Sequence, residues 1–220
     1  MYIIEKILDL IFPPVCGFCN EINNENLCNG CKKKIDAIKI STIDNYEKDP
    51  VYFDEHFYMF KYKKDIRQLI LNYKFNEKSY IYKTFAKVIA DEELMKNEFI
   101  KKYDYIISVP LHKKRFRVRG YNQSELIARE VSKICEKTYC KGVLVKSKNI
   151  VAQSKLDKLD RIRNIKDAFE IENDAVEIVS GKKIAIFDDV FTTGATVNEC
   201  AKVLKSAGAS FVGIITLAKA

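Results

Sequence analysis

The stretch Ile184-Ala185-Ile186-Phe187-Asp188-Asp189-Val190-Phe191-Thr192-Thr193-Gly194-Ala195-Thr196 constrains the fold more than any other part of the chain. Its continuous apolar start has no polar face, so it reads as a strand covered on both sides, as in a parallel sheet. Two carboxylates follow at the strand's carboxyl end, the edge where open α/β sheets take their ligands. A short Thr/Gly loop then leads into helical spacing from about Val197 to Ala207, ended by Gly208. Backbone N–H groups, hydroxyls and the positive end of that helix can surround a phosphate, and Gly194 lets the backbone approach closely. Asp188 and Asp189 would repel a phosphate. They must face something neutral or cationic beside it, such as ribose hydroxyls or hydrated Mg²⁺, so the pattern spells a sugar phosphate. A bare strand–turn–helix with Asp189 as a cap leaves the second acid and the Thr-Thr-Gly-Ala-Thr run unexplained.

The rest of the chain alternates in the same way. Tyr105 to Val109 is a short apolar strand closed by Pro110, and Gly142 to Val145, Lys183 to Phe187 and Phe211 to Leu217 read as further strands. Helical spacing covers residues 64–73, 78–98 and 122–137. Val51 to Tyr62 is aromatic-rich and partly alternating, and predicts an antiparallel strand. Residues 2–11 have helical spacing up to Pro13-Pro14, and residues 41–50 read as a polar linker. Strands alternating with helices imply a parallel sheet with helices on both faces. The expected organisation is an N-terminal module over 1–40 and an α/β domain over 41–220.

The module is defined by cysteines. Seven occur in the 220 residues, and four fall in two pairs, Cys16-x2-Cys19 and Cys28-x2-Cys31, with eight residues between. Each pair can grip a metal from a tight turn, and two turns complete a tetrahedral thiolate site that favours zinc. Gly17 and Gly30 lie within the turns. Four protein ligands leave no position open, so the zinc is structural. Cys135, Cys140 and Cys200 are scattered and read as small buried hydrophobes.

Between the first core strand and the next helix runs Lys113-Lys114-Arg115-Phe116-Arg117-Val118-Arg119, with five cations in seven residues. At a strand's carboxyl edge this suits a pyrophosphate or a nucleic-acid track. Phe116 and Tyr121 could stack bases or merely pack. Lys32-Lys33-Lys34 offers a second basic contact. Overall, 38 basic against 30 acidic residues give a net charge of +8, which suits a phosphorylated metabolite, a nucleic acid or acidic lipid. No apolar run approaches the roughly 18 residues of a membrane span, and the charged start lacks a basic leader, so a cytoplasmic, reducing setting is expected. No residue is an evident general base. His56 falls in a strand and His112 at the basic edge.

The Asp188–Thr196 loop resembles the 5-phosphoribosyl-1-pyrophosphate loop of type I phosphoribosyltransferases. The resemblance implies a Rossmann-like parallel sheet flanked by helices, with Asp188 and Asp189 on the ribose 2′- and 3′-hydroxyls. It places Thr192, Thr193, Gly194, Ala195 and Thr196 around the 5′-phosphate. Thr192 stands where hypoxanthine-guanine transferases carry an acid that handles the base, which argues against purine salvage. The four-cysteine module, Val109-Pro110-Leu111-His112, Arg119-Gly120-Tyr121-Asn122-Gln123 and the spacing of Gln153, Leu156, Arg161, Asn164, Ala168 and Phe169 extend the likeness. Together they resemble the ComF family, late-competence proteins with a zinc ribbon and a phosphoribosyltransferase domain. Ile150 stands where that family often has Thr. What this implies is donor binding with Mg²⁺ at the acid pair, the cradle and Pro110, Leu111 and His112. If the chain is a transferase, Asp188, Asp189, Arg115 and Arg119 would carry catalysis. It further implies handling of single-stranded DNA with the competence helicase and a DNA-processing protein. An active transferase of nucleotide metabolism and a ligand-sensing regulator are the alternatives.

Overall fold

The computed structural model describes residues 13, 15–23, 25–46, 51–75, 78–93, 99–147 and 165–220. The helix expected over 2–11, the motif residues Gln153, Leu156, Arg161 and Asn164, and Ile150 lie outside these. Helix α1 (Asn29–Ile38) starts within the second cysteine pair, with Cys28 as its cap and Cys31 in its first turn. Next come strands β1 (Thr42–Asn45) and β2 (Glu55–Lys61), then helices α2 (Lys64–Phe75) and α3 (Ile81–Glu92). Strand β3 (Tyr105–Ser108) leads into helices α4 (Lys113–Arg119) and α5 (Gln123–Ile134). Strands β4 (Thr138–Tyr139), β5 (Leu144–Lys146) and β6 (Phe169–Ile171) follow. The chain closes with α6 (Val176–Val179), β7 (Lys183–Phe191), α7 (Ala195–Ser206) and β8 (Phe211–Lys219).

Six strands form one sheet in the order β1-β2-β8-β7-β3-β4. Every pairing is parallel except the β1–β2 edge. Strand β7 shows why its run from Ile184 to Phe187 is apolar throughout. Ala185 and Phe187 join a buried cluster with Tyr73, Phe85 and Ile127. Ile184 and Ile186 join a second cluster with Phe169, Cys200 and Leu204 on the other face. A strand covered on both sides has no solvent-facing residues to alternate with.

Several expectations need correction. Thr42–Asn45 of the supposed linker is a strand, paired with β2 from Thr42 opposite Tyr58 to Asn45 opposite Glu55. β2 is antiparallel only to that edge strand and is parallel to β8. β5 leaves the main sheet and pairs antiparallel with β6. Gly142 (φ +77°) turns the chain just before it, and the sheet edge is taken by the short β4 instead. The basic segment is helix α4, capped at its start by His112 and ended by Gly120 at φ +79°.

The cysteine module shares a core with the α/β layers. Cys16, Leu27, Cys31 and Ile35 are buried in the same cluster as Ile81 and Phe85 of α3. Gly17 is needed there because a Cβ would lie 2.3 Å from the Thr84 hydroxyl. A Cβ on Gly30 would meet open space, so Gly30 is not required by the turn. Thr84 donates to the Asn26 carbonyl at 2.6 Å, and Tyr80 donates to the Asn20 side chain at 2.7 Å.

Candidate functional site

The acid pair sits where two strands part. β3 stops at Ser108, opposite Phe187, and Val109 N–H donates to the Phe187 carbonyl at 2.9 Å. β7 continues beyond it, pairing with β8 as far as Phe191 opposite Lys219. From β3 the chain moves outward to β4, and from β7 it moves the other way to β8. The crevice between them is the switch point at which open α/β sheets bind ligands. Pro110 to His112 and Asp188 to Thr196 therefore leave the sheet at the carboxyl ends of adjacent strands.

Asp188 Oδ1 accepts from Ser124 Oγ at 3.0 Å and from Asp189 N–H at 2.9 Å. Lys74 Nζ donates to Asp189 Oδ1 at 2.7 Å. Burial, then the Asp189 charge, pushes the Asp188 carboxyl up to about 7, against the pull of Lys74. Burial alone would lower Lys74, but the Asp189 carboxylate outweighs it and holds the ammonium above its usual range. The site thus carries a resident cation and a carboxyl poised near neutral pH. Lys74 and Ser124 were not singled out from the sequence. Lys74 looks like one more polar residue on an amphipathic helix, and only the fold brings it to β7.

The loop after β7 is a tight bend. Gly194 has φ +75°, and a Cβ there would lie 2.5 Å from Phe191 Cζ. Phe191 is in turn stacked on His56 with ring centroids 4.3 Å apart. His56 is fully buried, bonds Thr216 through Nε2 at 2.8 Å, and is pushed down to about 3 by burial and by Lys219. It is a neutral packing residue. Thr192 is exposed and Thr193 to Thr196 are half-buried at the start of α7. Ala195 N–H donates to Thr193 Oγ1 at 3.3 Å.

The Arg-Gly-Tyr-Asn-Gln run acts as scaffold. Asn122 donates to the Val109 carbonyl at 3.0 Å and accepts from Ser124 N–H at 3.1 Å, fastening the start of α5 to the end of β3. That places Ser124 on Asp188. Arg119 donates to the Gln123 side chain. Tyr73 donates to the Gln123 carbonyl at 2.8 Å, and Tyr121 to the Tyr73 carbonyl at 2.6 Å. These bonds hold α2, and so Lys74, against the edge. Tyr121 packs, whereas Phe116 is 46% exposed. His112 accepts from Lys114 N–H at 3.2 Å as the α4 cap, and slight burial and the surrounding cations keep it below its usual pKa. Pro110 and Leu111 line a cleft of about 230 Å³ with Phe116 and Tyr139. Arg115 lies on α4, and Ala168 and Phe169 are buried.

The four cysteines come together as the spacing implied. Their sulfurs all lie within 4.8 Å of one another, with Cys19 and Cys28 Sγ 3.8 Å apart. Zn–S bonds of about 2.3 Å at tetrahedral angles need sulfurs about 3.8 Å apart, so the set fits zinc. Cys28 caps α1, its Sγ accepting from Cys31 N–H at 3.4 Å. The helix start thereby adds positive potential beside the thiolates.

A phosphoribosyltransferase-like α/β fold carrying a four-cysteine zinc site is the class that this sheet order and these sites define. Residues 7–42 match the double zinc ribbon domain family. The chain is 28% identical over 213 residues to competence protein F of Haemophilus influenzae, covering 90% of this chain and 93% of that protein. It is 32% identical over 160 residues to the DNA utilization protein YhgH of Shigella flexneri, covering 72% and 69%. With competence protein ComFC of Streptococcus pneumoniae the identity is 28% over 209 residues, covering 93% and 87%. The chain belongs to the ComF family. Among solved structures, glutamine phosphoribosylpyrophosphate amidotransferase from B. subtilis aligns with TM-score 0.39 and 19% identity, over 61% of this chain and 25% of that one. Purine phosphoribosyltransferase from Pyrococcus horikoshii aligns with TM-score 0.37 and 16% identity, over 62% and 80%.

Proposed function

We propose that this chain binds 5-phosphoribosyl-1-pyrophosphate and acts in the cytoplasm on incoming single-stranded DNA during natural transformation. The supporting observation is the acid pair at the β3/β7 switch point, followed at once by a Gly194 bend into the start of α7. Asp188 and Asp189 accept the ribose 2′- and 3′-hydroxyls. Thr192, Thr193, Gly194, Ala195 and Thr196 take the 5′-phosphate through backbone N–H groups and hydroxyls. Pro110, Leu111, His112 and Arg115 border the diphosphate. Mg²⁺ bound with the diphosphate would offset its charge. Lys74 donates to Asp189 and brings a cation beside the pair, and Ser124 fixes the orientation of Asp188.

If a nucleophile is delivered, displacement at C1 breaks the bond to the diphosphate oxygen and the diphosphate leaves with that electron pair. The protein's part is to hold both ends of the donor while positive charge develops on the ribose. Helix α4 suits the DNA: its cations are exposed or half-buried and interleaved with the exposed Phe116. The family membership supports this setting and the proposed partners, the competence helicase and a DNA-processing protein. No helix among the described residues is long and apolar enough to cross a membrane.

The test is a diphosphate-release assay with donor and Mg²⁺ against nucleobases and oligonucleotides, run beside donor-binding calorimetry. Binding with release identifies a transferase and binding without release a ligand-dependent accessory. No binding of donor contradicts the proposal.

A further inference from the structure

Helix α4 buries none of its own residues, yet its Phe116 forms a wall of the cleft of about 230 Å³. Pro110, Leu111, Val143 and Leu144 add apolar surface. The cleft lies on the far side of β3 from the acid pair. Ser108 of β3, Tyr139 of β4 and the turn at Gly142 line it, whereas β7 runs along the other flank of β3. Neither Asp188 and Asp189 nor Thr192 to Thr196 line it. Its polar groups are few. Ser108 Oγ and the Tyr139 hydroxyl stand 2.8 Å apart and share one hydrogen bond. Two hydroxyls that share one bond keep one proton to give. Burial pushes Tyr139 up to about 12, so its hydroxyl stays protonated. Glu125 supplies the acceptor. Lys141 Nζ at 3.2 Å and Arg129 at 4.0 Å both approach Glu125 Oε1, which leaves Oε2 with no partner among the described residues. Cations stand at two borders: the exposed Lys113, Lys114 and Arg117 on α4, and Lys141 and Arg129 beside Glu125.

We propose that this cleft takes a single base of a DNA strand that tracks along α4. The base lies against Phe116, gives a hydrogen to Glu125 and accepts one from the Ser108–Tyr139 hydroxyls. At about 230 Å³ the cleft is smaller than the roughly 300–1,000 Å³ of pockets that enclose a whole small molecule, so it suits one base with sugar and phosphate left outside. The bordering cations then meet the phosphates on either side of that base. The proposal rests on the DNA reading for the polymer, but not for the base itself. Base edges set donors beside acceptors, and every base has a face to stack. The cleft therefore tells a strand with bases from one without, and discriminates little among sequences.

The test titrates two labelled single strands of equal length, one of cytosine nucleotides and one abasic, into wild type, Phe116→Ala and Ser108→Ala/Tyr139→Phe. Cytidine alone is a further probe, and circular dichroism checks the fold of each variant. Wild type should bind the cytosine strand about five- to a hundredfold more tightly than the abasic one. Each variant should bring the cytosine strand most of the way to the abasic value. Abasic affinity and the salt slope should stay unchanged, because neither variant alters a charge. Equal affinity of wild type for both strands overturns the base site and leaves α4 as a phosphate track. A base preference undiminished in both variants overturns it as well. Saturable cytidine binding that the double variant abolishes, with no strand bound at all, keeps the cleft as a base site and sinks the DNA reading.

Discussion

Lys74 decides the electrostatics of the acid pair. Its ammonium is bonded directly to Asp189 in a partly buried setting. Lys74→Met should cost about 1–3 kcal/mol in urea unfolding at pH 7, since it leaves Asp189 partly buried without its partner. Asp189→Asn in the same background should recover most of that, and strictly additive effects would contradict a direct pair. Asp188 adds a pH signature. Its folded pKa is raised, so the folded state keeps a proton that the unfolded chain releases near 3.8. Its contribution to stability is therefore lost as pH rises from about 4 to about 7 and is level above that. Donor affinity should move oppositely, rising through pH 7 as Asp188 becomes an acceptor for a hydroxyl. Asp188→Asn should remove both dependences; a profile unchanged in that variant would assign them to another group.

At the level of elements, the bend between β7 and α7 is the most demanding piece of backbone. Gly194→Ala adds left-handed strain and a clash with Phe191, and should destabilise by about 1–3 kcal/mol while weakening phosphate binding. A chemical-denaturation midpoint matching wild type would show that the bend relaxes freely. The zinc ribbon and α3 share a core, with Phe18 against Phe85 at 6.2 Å between ring centroids and Gly17 pressed on Thr84. Chelating zinc should accordingly lower the melting temperature of the whole chain; two separate transitions, the main one unmoved, would contradict that. β7, its acids and the cysteine pairs were legible because each is contiguous and obeys a local rule of period or spacing. Lys74 and Ser124 were not, because each reaches the site through packing of an element whose own sequence looks ordinary. The departure of β5 from the main sheet was hidden for the same reason: a three-residue strand with two apolar positions reads alike in either sheet.

For the molecule as a whole, the exposed basic face of α4 and the net charge of +8 predict a nucleic-acid interaction that is electrostatic and weakly dependent on sequence. Single-stranded oligonucleotide affinity should fall by about 0.7 log units per log unit of salt for each phosphate neutralised. Replacing Lys113, Lys114 and Arg117 with Gln should flatten that slope, and salt-insensitive binding would exclude α4 as the DNA-binding element. The central claim is that the β3/β7 edge is a sugar-phosphate site. It is tested most directly by titrating 5-phosphoribosyl-1-pyrophosphate with Mg²⁺ into wild type and an Asp188→Asn/Asp189→Asn double variant, with the fold of each checked by circular dichroism. Each charge-assisted hydrogen bond to a ribose hydroxyl is worth about 1.5–3 kcal/mol, so the double variant should bind at least a hundredfold more weakly, on the order of 3 kcal/mol or more. The same affinity in both proteins, or no heat of binding in wild type, would contradict the account.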